Sequence, residues 1–81
     1  MMATISIRKE LAIDLIKTKI ELLNSKINKI LQKWGQQTAE EMVTKTREGL
    51  LEEAEGDAIV LTNLLEKLKE LENLLKQAGG L

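Results

Sequence analysis

Between Ile13 and Trp34 an apolar residue returns at alternating steps of three and four: Ile13, Ile16, Ile20, Leu23, Ile27, Ile30, Trp34. No polar residue interrupts the series, and the stretch holds no Gly or Pro. A helix turns about 100° per residue, so this rhythm keeps the side chains on one stripe. Such a stripe is the seam of a helix packed lengthwise against other helices. A second seam, Leu61, Leu64, Leu68, Leu71, Leu75, Ala78, has the same rhythm near the other end of the chain. Two seams in 81 residues describe one all-α domain.

The first helix is expected over about 7–34, with Ser6 as its N-cap. Residues 1–7 read either as a short strand or as the lead-in to this helix. Leu11, Ala12, Leu15, Leu22 and Leu31 flank the seam and widen the apolar face, which suits burial against two neighbours. Gly35 supplies the left-handed residue that ends it. Thr38-Ala39-Glu40-Glu41 is a capping box: the Thr38 hydroxyl accepts the Glu41 amide, and Glu41 reaches back to the amide of Thr38. The second helix, about 38–55, turns Ala39, Val43, Thr46, Leu50 and Ala54 inward, with Met42 and Leu51 beside them. Gly49 lies inside this helix, seven residues from Gly56 and on nearly the same face.

At Glu55-Gly56-Asp57 two architectures diverge. If Gly56 ends the second helix and Asp57 caps a third over 58–78, the fold is an antiparallel three-helix bundle with coiled-coil-like packing. If the helix runs straight through, a long hairpin dimerises into a four-helix bundle. The unbroken helix would place Asp57 on the seam, where a lone buried carboxylate is costly. The three-helix bundle is the favoured reading.

Composition narrows the chemistry. The chain has 15 Leu and 8 Ile but no Phe or Tyr, so its core is aliphatic. It has no Cys and no His, which removes thiolate chemistry, disulfides and the commonest general base and metal ligand. No nucleophile sits beside a base, and no phosphate-binding glycine loop is present. Thr18 and Ser25 fall on the outward face of the first helix and read as solvated surface. Glu41, Glu48, Glu52 and Glu55 line one side of the second helix, but the Glu-x-x-His pairing of di-metal bundles is impossible here. We therefore expect no catalytic residues, no metal, no cofactor and no small-molecule substrate.

Charge is segregated. Residues 1–37 hold seven Lys/Arg against three Asp/Glu, and residues 38–56 hold two against six. A basic first helix beside an acidic second one implies pairing within the molecule. No apolar run is long enough to span a membrane, and the Met1-Met2-Ala3-Thr4 start lacks the pattern of a signal peptide, so a cytoplasmic protein is expected. The Lys/Glu/Ile-rich composition leans toward thermostability.

Thr4-Ile5-Ser6-Ile7-Arg8 resembles the opening strand of ribbon-helix-helix repressors, in which alternate strand residues enter the major groove of DNA. The resemblance implies an antitoxin-like regulator with Arg8 and Lys9 near nucleic acid and an acidic, partner-binding helical tail. It covers only these residues. The turn that family needs would fall near Asn24-Ser25, where the first seam runs unbroken. The favoured expectation is a protein–protein interaction module that self-associates or binds another protein. Trp34, the sole aromatic residue, is the candidate partner contact. Its alternative role is a plug at the bundle end, with the indole N–H facing water or a carbonyl.

Overall fold

A computed structural model describes the backbone over residues 2–79 and the side chains over residues 8–79. Three helices follow one another: α1 (Met2–Lys33), α2 (Ala39–Arg47) and α3 (Glu55–Gln77). A single 3-10 turn, Glu52–Ala54, leads directly into α3. There is no strand among the described residues, and the fold is an all-α bundle. It is rod-shaped, 57 × 18 × 18 Å. At about 1.5 Å per residue α1 spans most of that length.

α1 and α3 form the main packing pair, and α2 rests chiefly on α3. The pair is antiparallel: Trp34 at the end of α1 touches Asp57 at the start of α3, while Lys9 near the start of α1 lies against Gly79 beyond the end of α3. Both seams turn inward as the spacing requires. Leu23, Ile27, Leu61 and Leu75 are buried, and the remaining seam residues are half-buried. Met42 and Leu61 are fully enclosed, each worth roughly 1.5–3 kcal/mol of apolar burial. With Ile27, Leu31 and Ala54 they make one cluster, into which Trp34, Val43, Leu51 and Leu65 pack from its margin.

The helix ends depart from the sequence reading in three places. α1 begins at Met2, so residues 2–7 are helix, not strand, and Ser6 is not the N-cap. With no Pro or Gly before Lys33, each added residue gains a hydrogen bond once the helix is nucleated, and the β-branched Thr4, Ile5 and Ile7 oppose this only weakly. The strand implied by the likeness to ribbon-helix-helix repressors is therefore absent.

The second correction concerns α2, which ends at Arg47, about one half of its expected length. Gly49 adopts φ +81 and closes the helix: its amide donates to the Thr46 carbonyl at 3.1 Å and the Leu50 amide to the Lys45 carbonyl at 2.9 Å. The break breaks the phase as well, so Leu50 points to solvent while Ala54 remains buried. Thr46, polar and half-buried, satisfies itself by donating to the Met42 carbonyl at 2.8 Å.

Third, Gly56 is no turn. It lies in the first turn of α3, which begins at Glu55, so Asp57 is inside the helix and not its cap. The helices expected over 7–34, 38–55 and 58–78 thus run over 2–33, 39–47 and 55–77. Gly35 and Thr38 behave as read. Gly35 ends α1 at φ +65, and the Glu41 amide donates to Thr38 Oγ1 at 3.1 Å, although the reciprocal bond from Glu41 does not form. Gly79 takes φ +75 at the end of α3; the remaining Gly80-Leu81 of that stop signal lies outside the described residues.

These two glycines should respond oppositely to alanine. Gly49→Ala forces a side chain into the left-handed region and should cost about 1–2 kcal/mol. Gly56→Ala faces open space on a helical backbone and should stabilise by up to about 0.5–1 kcal/mol. Urea unfolding of both variants tests the turn assignment, because an unbroken 38–78 helix would make both substitutions stabilising.

Candidate interaction surface

Two features of the surface carry chemistry beyond packing. The first closes the end of the rod. Trp34 follows the last residue of α1, where the seam rhythm turns its ring toward the core cluster. Its indole N–H donates to Asp57 Oδ2 at 2.8 Å. Lys33 Nζ donates to the same oxygen at 3.0 Å and stands 5.4 Å from the centre of the Trp34 ring. Asp57 occupies the seam position that the sequence made costly, yet its carboxylate is a third exposed and doubly bonded. Placement also helps: a carboxylate in the first turn of α3 and an ammonium in the last turn of α1 each complement a helix dipole. The Trp34 bond, followed by Lys33, holds the Asp57 carboxyl below its ordinary value of 3.8, against a smaller opposing effect of desolvation.

This clamp answers what the Trp34 N–H faces, which is neither water nor a carbonyl. Sequence reasoning missed Asp57 as its partner. The signal was present: the rhythm Leu50, Ala54, Asp57, Leu61 put Asp57 on the α3 seam, and an antiparallel neighbour brings that position to the Trp34 end. Lys33–Asp57 is also the sole ion pair among the described residues. The expected pairing of basic α1 with acidic α2 does not occur, because α2 is too short to lie along α1 and rests on α3 instead. The carboxylates Glu41, Glu48, Glu52 and Glu55 do not converge; no group placed to hold a metal ion exists among the described residues.

The second feature runs along the outside of α1. Leu11, Leu15 and Leu22 are 57%, 62% and 52% exposed. They were expected to widen the buried face. At about 100° per residue they instead fall within about 40° of one another and roughly 120° from the middle of the seam. Thr18 and Ser25, both exposed, complete the same four-three rhythm: Leu11, Leu15, Thr18, Leu22, Ser25. Among the five residues read as flanking the seam, Leu31 alone is buried. The others had no second neighbour to meet, since α2 stays at the Trp34 end.

The candidate nucleic-acid residues separate. Arg8 is exposed at the head of this outer stripe. Lys9 points to the other side of α1, its Nζ 3.5 Å from where a Cβ on Gly79 would project. There its charge lies beside the carbonyl end of α3. No helix among the described residues is long and apolar enough to cross a membrane. Compared with models of known protein families, with curated proteins and with solved structures, the chain finds no match.

The clamp makes stability depend on pH in a definite direction. Asp57 has a lower pKa folded than unfolded, so the unfolded chain takes up the proton first as pH falls. The stabilisation is complete well above pH 3.8 and is lost as pH drops through the lowered folded value. Wild type should exceed Asp57→Asn in urea midpoint at pH 7, and the gap should close below pH 3.8. A gap that persists unchanged to the lowest pH would contradict the assignment.

Proposed function

We propose that this chain is a small, non-catalytic binding module of the cytoplasm, acting through the outer face of α1. One observation carries the reading: three leucines stand half-exposed on a single helical stripe that is not needed to hold the bundle together. Scattered surface leucines require no explanation, but a row at helical spacing on a small domain marks a contact surface. Trp34 fits the reading less well as an anchor, because its N–H and one edge are already committed to Asp57 and the core cluster. Nothing comparable favours the nucleic-acid reading of Arg8 and Lys9.

A photo-crosslinking amino acid at Leu15, expressed in the native cells, should give a discrete protein adduct. The same group at Glu66, exposed on α3, should give none. Equal labelling at both positions, or none at Leu15, would count against the proposal. Leu15→Gln/Leu22→Gln should abolish the adduct formed from a crosslinker at Leu11 and change stability by no more than about 0.5 kcal/mol per site. Leu23→Ala, by contrast, should cost about 2–5 kcal/mol.

A further inference from the structure

We infer that the partner fitted to this stripe is a second copy of the chain, paired parallel and in register along α1; the inference rests on the binding-module reading above. The argument is charge. Along one edge of Leu11, Leu15, Thr18, Leu22, Ser25 stand Asp14 and Glu21; along the other stand Lys19 and Lys26. All four are exposed, and none joins an ion pair among the described residues. In a parallel two-helix coiled coil the two edges of one helix face the opposite edges of its partner. Asp14 then meets Lys19 of the second copy, and Glu21 meets Lys26, twice each by symmetry. An antiparallel pair would set acid against acid and base against base, which is unfavourable.

The ends of the stripe limit this pairing, because parallel in-register helices set Arg8 and Lys29 each against the same residue of the second copy. Arg8 and Lys29 occupy the stripe's next positions on either side and confine the apolar contact to about two heptads. A lysine at such a position is tolerated in two-stranded coiled coils and works against larger assemblies. Among the described residues no element covers this side of α1, since α3 packs on its opposite side and α2 sits chiefly against α3. The outcome is a row of four long helices, α3–α1 against α1–α3. It arises with α2 ended at Arg47, so self-association here does not require the unbroken 38–78 helix of the hairpin architecture.

An interface this short belongs to the weak class, so self-association should emerge between roughly 10 µM and 1 mM. Light scattering behind a sizing column should show the mass rising from 9.1 kDa toward twice that value. Lys19→Glu/Lys26→Glu should remain monomeric throughout, and adding Asp14→Lys/Glu21→Lys to it should restore the dimer. Because the chain has no cysteine, Ser25→Cys reports register directly. A parallel pair brings the two residue-25 backbones together and should form a disulfide dimer in a glutathione buffer, whereas Gln77→Cys on the far side of α3 should not. Circular dichroism confirms that each variant keeps its helices.

A mass of 9.1 kDa at every concentration would overturn the inference. So would a dimer that survives Lys19→Glu/Lys26→Glu and leaves Ser25→Cys uncrosslinked, since it would use another face or the opposite direction. A monomer whose Leu15 crosslinker still captures a different protein would end self-pairing while leaving the binding-module reading intact. Failure of both experiments would remove both.

Discussion

The α1–α3 seam is the interaction on which the rest of the molecule depends. Each helix draws most of its stability from it, because helical stability in proteins comes mainly from burying an apolar face. Burial is most complete where α2 adds a third wall: Met42 and Leu61 are fully enclosed at that end, while Ile13, Ile16 and Ile20 are half-buried at the other. The rod is thus a three-helix bundle near Trp34 and a helical pair toward its far end.

That change in cross-section has one local cause. Gly49 takes a left-handed conformation that any residue with a Cβ resists, and the Lys45 and Thr46 carbonyls are satisfied by the turn instead of by a further helical residue. The stop confines α2 to the Trp34 end of the rod, where it rests chiefly on α3. The outer stripe of α1 lies away from both helices and stays exposed.

The clamp at the Trp34 end shows how a polar group can occupy a seam without a penalty of the usual kind. Asp57 is a carboxylate at an apolar phase of the repeat, and an isolated one would be expelled. Here Lys33 and Trp34, at the end of α1 and just past it, share its Oδ2, the positive end of α3 lies beside it, and the site stays open enough to water to keep the charge hydrated. One cluster therefore caps the core, joins the ends of two antiparallel helices and ties stability to acid pH.

The sequence by itself determined that the chain is helical and which residues form the two long seams. The rhythm from Ile13 to Trp34 and from Leu61 to Ala78, the stop at Gly35 and the cap at Thr38 are local matters of periodicity and backbone chemistry, and the structure repeats them. Only the tertiary structure decided which of two glycines became the second turn. The local signal favoured Gly56, with Asp57 beside it as a cap, but the turn at Gly49 leaves Ala54, Ala58 and Leu61 buried and Asp57 bonded to Trp34. It also decided that Leu11, Leu15 and Leu22 face outward. Apolar character shows that a side chain gains from being covered, but whether a neighbour arrives depends on how the helices assemble, which no residue of α1 encodes.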